Sequence, residues 1–139
     1  MELYGDLFTT GSVRRVRQSN FRLLQAGLYP RKAALYLHNL TTILADKATT
    51  KKPQSLAYTI TDKPDIVHDL LLQNSNGKFQ LVVWGEKASG SVSVDVTFAK
   101  KVREIKVYDP VMGTSAILSV KAADKISLNL SDHPMVVEL

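Results

Sequence analysis

Apolar residues recur at two different spacings along the chain, and the spacing changes at about Pro53. Before that point they fall every three or four positions, which is the spacing of the buried stripe of an α-helix. Pro30 suits the first turn of one such helix, because the first N–H groups of a helix are unpaired in any case. The apolar stripe of this helix consists of Ala33, Leu37, Leu40 and Leu44. An earlier helix is predicted from Ser12, a suitable N-cap, to a stop at Gly27.

Beyond Pro53, apolar and polar residues alternate, which is the pattern of a half-buried β-strand. Eight short strands are predicted, within residues 56–60, 66–73, 79–85, 92–98, 102–108, 116–120, 126–130 and 135–139. Asn76-Gly77, between the second and third of them, is a strong signal for a β-hairpin. Short strands separated by turns at intervals of roughly 8–12 residues are typical of an antiparallel sandwich or barrel.

These two patterns together predict the fold class and the domain organisation. We expect a mainly β protein, an antiparallel β-sandwich of about eight strands preceded by two α-helices. Residues 1–53 would form the N-terminal helical segment and a linker, and residues 54–139 would form the sandwich. The linker is the polar stretch that ends at Pro53.

The composition is that of a globular protein, and the charge differs between the two predicted parts of the chain. The chain has 139 residues, of which 45% are hydrophobic, as expected for one globular domain. The absence of cysteine excludes disulfides, zinc–thiolate sites and thiol nucleophiles. The net charge of +5 is unevenly distributed: residues 1–54 have nine Lys or Arg against three acidic residues, a charge of +6, and residues 55–139 carry −1. Four of these bases lie on the first predicted helix: Arg14, Arg15, Arg17 and Arg22.

The histidines and aspartates show no spacing that is typical of a metal site. The three histidines are far apart in the chain and do not place two ligands on one helix face: His38, His68 and His133. Three aspartates lie close together but lack the glycine-bearing loop of a calcium site: Asp62, Asp65 and Asp69. We therefore expect no metal and no cofactor.

Trp84 is the residue with the clearest functional alternative to packing. It alternates with Leu81 and Val83, so it would lie on the outer face of a sheet whose inner face forms the core. An exposed aromatic ring can stack on the apolar face of a sugar, although a binding platform usually needs two or three rings. Tyr58 and Tyr108 are the candidates for the additional rings. The alternative is that Trp84 packs on the helices or on a further domain.

Several motifs of the chain resemble the C-terminal part of one enzyme group. The run Pro30–Leu40, continued by Ile43-Leu44-Ala45-Asp46, is similar to the last helix of a (β/α)₈-barrel glycoside hydrolase. Three later segments resemble the small β-sandwich that follows such a barrel: Leu70-Leu71-Leu72-Gln73 with Gly77–Trp84, Val107-Tyr108-Asp109-Pro110, and Pro134–Leu139. The resemblance covers about residues 30–139.

The resemblance implies an accessory domain without catalytic residues of its own. The catalytic glutamates of that group lie at the ends of barrel strands, and no position of this chain matches them. Retaining glycoside hydrolysis needs two carboxyl groups about 5 Å apart, whereas four carboxylates here belong to separate predicted strands or turns with no motif pairing them: Glu86, Glu104, Asp109 and Glu138. The expected role is to pack on the barrel or extend it.

The expected partners follow from the same resemblance. They are a glycoside hydrolase barrel, in cis or in trans, and polysaccharide. The resemblance implies a secreted protein, extracellular or periplasmic, although the chain itself shows no signal peptide and no membrane-spanning stretch.

Two alternatives remain open. One is an autonomous carbohydrate-binding module that uses Trp84. The other is an interaction module whose basic N-terminal helix contacts an acidic protein surface or an anionic membrane. Nucleic acid is disfavoured as a partner, because the arginines of that helix are not interleaved with aromatic residues.

Overall fold

A computed structural model describes residues 31–49 and 52–139 of the chain. Within them the order of elements is α1 (Lys32–Ile43), β1 (Tyr58–Thr61), β2 (Val67–Gln73), β3 (Phe79–Gly85), β4 (Val92–Tyr108), β5 (Ala116–Leu130) and β6 (Met135–Glu138). The predicted mainly β, antiparallel class and the second predicted helix are confirmed. The first predicted helix, with its arginines, lies outside the described residues. The segment Tyr36–Leu139 forms one compact unit, so most of α1 belongs to the same unit as the strands.

The six described strands form one antiparallel sheet in the order β1-β4-β6-β3-β2, with β5 on the other side of β4. The long strand β4 pairs with two short strands in succession. Its residues Asp95–Phe98 pair with β1, and its residues Lys106–Tyr108 pair with β6. This arrangement curls the sheet, so that it has an inner and an outer face.

The number of strands differs from the prediction because two expected turns are bends within continuous strands. Between the pairs Thr97↔Lys125 and Val102↔Ala123, the register of β4 and β5 shifts. Four residues of β4 there stand opposite a single residue of β5, where the neighbouring Ala122 has a φ of 53°. Extra residues on one strand bend a ladder without ending it. A sandwich of about eight strands is not confirmed, since the described strands belong to one hydrogen-bonded sheet.

The predicted hairpin at Asn76-Gly77 joins β2 to β3. The backbone N–H of Gly77 donates to the Asn74 carbonyl at 2.9 Å, and Gly77 has a φ of 86°. This left-handed conformation is one that glycine adopts without a steric penalty. The turn sets the register of the two strands, from Gln73↔Phe79 to Val67↔Gly85.

The core lies on the inner face of the curled sheet and receives side chains from all six strands. Its buried members are Ile60, Val67, Leu81, Val83, Val94, Val96, Phe98, Ile105, Val107, Ile126, Leu128, Leu130, Met135 and Val137. Leu81, Ile105 and Val137 are 0% exposed. Burial of one such side chain stabilises the fold by about 1.5–3 kcal/mol. The period-two alternation therefore predicts the core correctly along β3, β4 and the second half of β5.

Candidate functional site

The outer face of the sheet carries two of the three aromatic residues predicted as a binding site, Trp84 and Tyr108. Side chains alternate between the two faces of a strand. Because Leu81 and Val83 face the core, Gln80, Val82 and Trp84 face outward. The strand register extends this face across four strands in rows, one of which is Leu70–Val82–Val136–Tyr108. A parallel row is Leu72–Gln80–Glu138–Lys106.

The centre of the outer face is buried, although it lies outside the core cluster. Gln80 is 1%, Val82 is 7% and Val136 is 0% exposed. Gln80 lies where α1 meets the sheet. Gln80 Nε2 donates to the Ile43 carbonyl of α1 at 2.8 Å. The outer face is thus apolar enough at its centre to need a cover, and α1 is part of that cover.

Three links fasten α1 and the residues that follow it to the sheet. Asn39 Nδ2, in the middle of the helix, donates to the Pro110 carbonyl at 2.8 Å. Gln80 pairs with one of the last helical carbonyls, which have no partner within a helix. Asp46, just beyond the helix, accepts hydrogen bonds from the backbone N–H and the Oγ of Ser75, both at 2.6 Å. The helix is therefore tied to β3 and to two separate turns.

The Asp46 carboxylate is held in its charged form by these contacts. The hydrogen bond from the Ser75 hydroxyl, followed by that from the Ser75 backbone, lowers the pKa of Asp46 below its ordinary value. Both donors stabilise the carboxylate more than the carboxylic acid. The contact between the helix end and the β2–β3 hairpin is therefore made by the ionised form of Asp46.

The side of α1 that does not meet the sheet is open. None of its residues is buried, and Leu37 is 53% exposed. Leu40, Ile43 and Leu44 are half-buried. The stripe predicted from the sequence is therefore divided: its C-terminal members Leu40 and Leu44 are half-buried, while Leu37 is exposed.

Trp84 lies at the margin of the outer face, as predicted, where it is half-buried. Its ring stacks at a tilt of 32° on the ring of His68, with 5.6 Å between the centroids. Glu86 Oε1 lies 3.1 Å from His68 Nε2, but the two atoms lack hydrogen-bond geometry. Leu70 and Ile66, which are 51% and 38% exposed, continue the same face of the edge strand. We call these five residues the Trp84 patch.

The two tyrosines proposed to accompany Trp84 lie on different faces. Tyr108 shares the outer face with Trp84, two strands away across β6, and its hydroxyl donates to Glu138 at 3.5 Å. Tyr58 pairs with Phe98 and packs against the core. Its hydroxyl donates to Asp69 at 2.5 Å, and burial together with this contact raises the pKa of Tyr58 to about 12. The structure thus brings Trp84 and Tyr108 to one face and places Tyr58 on the other.

Three of the four carboxylates considered as catalytic candidates have separate local partners. Glu138 pairs with Lys78 at 3.1 Å, and Glu104 accepts from Ser119 at 2.8 Å. Asp109 lies 3.0 Å from His133 Nε2. In residues 31–49 and 52–139, no group of three or more His, Cys, Asp or Glu side chains is arranged to hold a metal ion. No helix in the same ranges is long and apolar enough to cross a membrane.

Three contacts around these residues were not predicted from the sequence. His133 joins the turn after β4 to the loop before β6, because its Nε2 meets Asp109 and its Nδ1 lies 3.1 Å from Ser131 Oγ. Gln80 was not recognised as a partner of the helix end. The contact of His68 with Trp84 could have been found, since a hairpin turn at Asn76-Gly77 fixes which residues of the two strands stand opposite each other.

Comparison with known protein families and with curated proteins gives no significant match to this chain.

Proposed function

We propose that this chain is a non-catalytic accessory β-sandwich domain of a (β/α)₈-barrel glycoside hydrolase, with α1 as the last helix of the barrel. One observation carries the proposal. The helix is fastened to the sheet by Asn39 and through its Ile43 carbonyl, yet none of its residues is buried and Leu37 is 53% exposed.

A helix that packs on a single layer needs one apolar stripe, with polar residues elsewhere. On α1, Leu40 and Ile43 are half-buried near the sheet, whereas Leu37 is exposed. Apolar residues on more than one side are typical of a helix that packs between two layers. The ring of helices around a (β/α)₈ barrel is such a second layer.

The residues that carry the resemblance are also those that hold the helix. Asp46, from the Leu44-Ala45-Asp46 ending, binds Ser75 of the β2–β3 hairpin. Pro110, from the Tyr108-Asp109-Pro110 motif, accepts the hydrogen bond from Asn39. In the proposed protein these links hold the sheet at a defined angle to the barrel. The role of the domain is then to bury apolar barrel surface and to orient or extend the glycan cleft, in an extracellular or periplasmic enzyme.

The experiment mixes this chain with a glycoside hydrolase barrel that lacks its last helix and its C-terminal sandwich. Co-elution in size-exclusion chromatography is expected. Leu37→Glu should weaken the complex at least tenfold, because it places a charge on the side of α1 that would contact the barrel. His38→Glu is the matched control, since it adds the same charge at a neighbouring exposed polar position. Absence of a complex, or equal weakening by both variants, would overturn the proposal.

We propose carbohydrate binding at the Trp84 patch as a second candidate function. The specific support is the combination of an outward-facing indole ring with two polar neighbours, His68 and Glu86. An indole face packs on the apolar face of a pyranose, and a carboxylate accepts hydrogen bonds from sugar hydroxyls. The Glu86 side chain is 68% exposed, so it is accessible to a ligand.

This candidate is tested by affinity electrophoresis in gels that contain xylan, mannan or a soluble cellulose derivative. Retardation of the chain is expected in at least one gel and should be lost in Trp84→Ala. Tyr58→Phe serves as the control, because Tyr58 lies on the opposite face. A chain that migrates freely in every gel, or that is retarded equally with and without Trp84, would exclude this function.

A further inference from the structure

The described sheet has three strands that pair on one side only, namely β1, β2 and β5. Such edges expose unpaired N–H and C=O groups, and proteins normally protect them with charges, short strands or covering segments. The β1 edge is only four residues long. The β2 edge is tied to it, because Asp69 accepts hydrogen bonds from Tyr58 Oη and Lys63 Nζ.

Among residues 31–49 and 52–139, the start of β5 has neither charges nor a covering strand. We call Ala116–Val120 the β5 edge. It pairs with β4 through Leu118↔Val107 and the neighbouring positions, and no described strand pairs with its other side. Ile117 and Leu118 are 49% and 44% exposed. No charged residue occurs between Pro110 and Val120.

The β5 edge contains a bulge, and this bulge does not give the edge a second pairing strand. Val107↔Leu118 is followed directly by Tyr108↔Ala116, so Ile117 has no partner on β4. The extra residue of a bulge is left out of the ladder. The exposed apolar side chains therefore coincide with the stretch of β5 whose outer side pairs with no described strand.

We propose that the β5 edge pairs antiparallel with the β5 edge of a second copy of this chain, across a two-fold axis at Leu118. This register sets Leu118 opposite its own counterpart and Ala116 opposite Val120 of the second copy. It sets Lys121 opposite Ser115 of the second copy, so no like charges face each other. A two-fold interface requires a surface that is complementary to itself, and this uncharged edge meets that requirement.

The dimer goes beyond the proposed function and does not depend on it, because the β5 edge and Leu37 belong to different elements. Pairing of the two edges would satisfy their backbone groups and cover Leu118 on both copies. Strand addition of this kind takes its affinity from main-chain hydrogen bonds and its selectivity from the side chains that alternate along the edge.

The first test is light scattering coupled to size-exclusion chromatography, with the chain loaded over a range of concentrations. The mass should rise with concentration from 15.4 kDa toward twice that value. Leu118→Lys should weaken the dimer at least tenfold. Asn129→Lys adds the same charge at an exposed site in the other half of β5 and should leave the dimer unchanged. A chain that stays monomeric, or a dimer that is indifferent to Leu118→Lys, overturns the proposal.

The second test uses the absence of cysteine from the chain. Opposed residues of paired strands have Cβ atoms about 4.5–5.5 Å apart, close to the separation that a disulfide spans. Leu118→Cys should therefore form a covalent dimer rapidly under mild oxidation, whereas Asn129→Cys should not. Equal cross-linking of both variants overturns the proposed register. Leu37→Glu should leave the dimer intact, so a failure here and a failure of the barrel complex can be distinguished.

Discussion

Side chains from all six described strands seal the inner face of the sheet, whereas a single described helix meets its outer face. On the inner face Leu81 and Val137 are 0% exposed within a continuous apolar cluster. On the outer face Val136 is equally buried, but its neighbour in the next row is the polar residue Gln80. The helix that meets this face has no buried residue of its own.

The difference shows two ways of covering a sheet. Apolar packing on the inner face has no preferred direction and gains stability from every strand. The cover of the outer face depends on a few directional contacts, made by Asn39, Gln80 and Asp46, that fix where α1 lies. Loss of one inner side chain should therefore affect the whole fold, and loss of one outer link should mainly release the helix.

The largest effect is expected from a cavity in the inner face. Leu81→Ala removes a fully buried side chain and should lower the free energy of unfolding by about 2–5 kcal/mol. Urea denaturation followed by circular dichroism measures this loss. Leu70→Ala, at an outer position that is 51% exposed, is the matched control and should cost less than half as much. Equal losses would contradict the assignment of the two faces.

A charge beneath α1 should be the next most damaging change. Gln80→Glu places a carboxyl group at a position that is 1% exposed, facing the Ile43 carbonyl oxygen. Burial disfavours the ionised form, so the pKa of the introduced group is raised in the folded state. At neutral pH we expect a loss of about 3 kcal/mol.

The sign of the pH dependence makes this prediction specific. A carboxyl group with a raised folded pKa weakens the fold as the pH rises through that value, and the penalty disappears below its unfolded pKa of about 4.3. Urea midpoints of Gln80→Glu should therefore approach those of Gln80→Met as the solution is acidified. If the difference in urea midpoint between the two variants does not change with pH, Gln80 is not enclosed beneath the helix.

A smaller effect is expected from the link in the middle of the helix. Asn39→Ala removes the hydrogen bond to the Pro110 carbonyl and should cost about 1 kcal/mol. Hydrogen exchange should rise in α1 and remain unchanged in β3. The exposed residue Asn129 provides the control variant, Asn129→Ala, which should alter neither. Faster exchange across the whole sheet would indicate that the helix is part of the core after all.

The smallest effect concerns the exposed link at Asp46. Its folded pKa is lowered by the hydrogen bonds from Ser75, so its contribution is present above the unfolded pKa and is lost as the pH falls through the folded value. Wild-type protein should have a slightly higher urea midpoint than Asp46→Asn at neutral pH. The two midpoints should converge in acid. A constant difference would mean that the carboxylate charge is not what holds the β2–β3 hairpin.

Local patterns were enough to predict most of the elements. The alternation of Val94, Val96 and Phe98 with polar residues identifies a strand and its buried face, because the side-chain period of a strand is two wherever the strand lies. The Asn76-Gly77 turn is equally local, since the left-handed conformation at Gly77 is a property of that residue. The helix start near Pro30 is likewise predicted from a local preference, that of proline for the first turn of a helix.

Tertiary contacts decided how many strands form and which residues of the apolar stripe of α1 are buried. The sequence around Lys100-Lys101 resembles a turn, but pairing with β5 on one side carries β4 through it as a bend. Leu37 has the spacing of a buried residue but is 53% exposed. A periodic pattern identifies an apolar side of a helix, but it does not specify which part of the protein will cover that side. The separation of Tyr58 from Trp84 likewise depends on strand order, which no local pattern encodes.

By itself the sequence determined a mainly β chain, the second helix, the hairpin and the alternating core, since each follows from the preferences of residues close together in the chain. Only the tertiary structure decided that β4 and β5 run unbroken, that Gln80 meets the end of α1, and that no described strand pairs with the outer side of the β5 edge. The physical reason is that these features depend on backbone pairing and burial between residues far apart in the chain, such as Asn39 and Pro110.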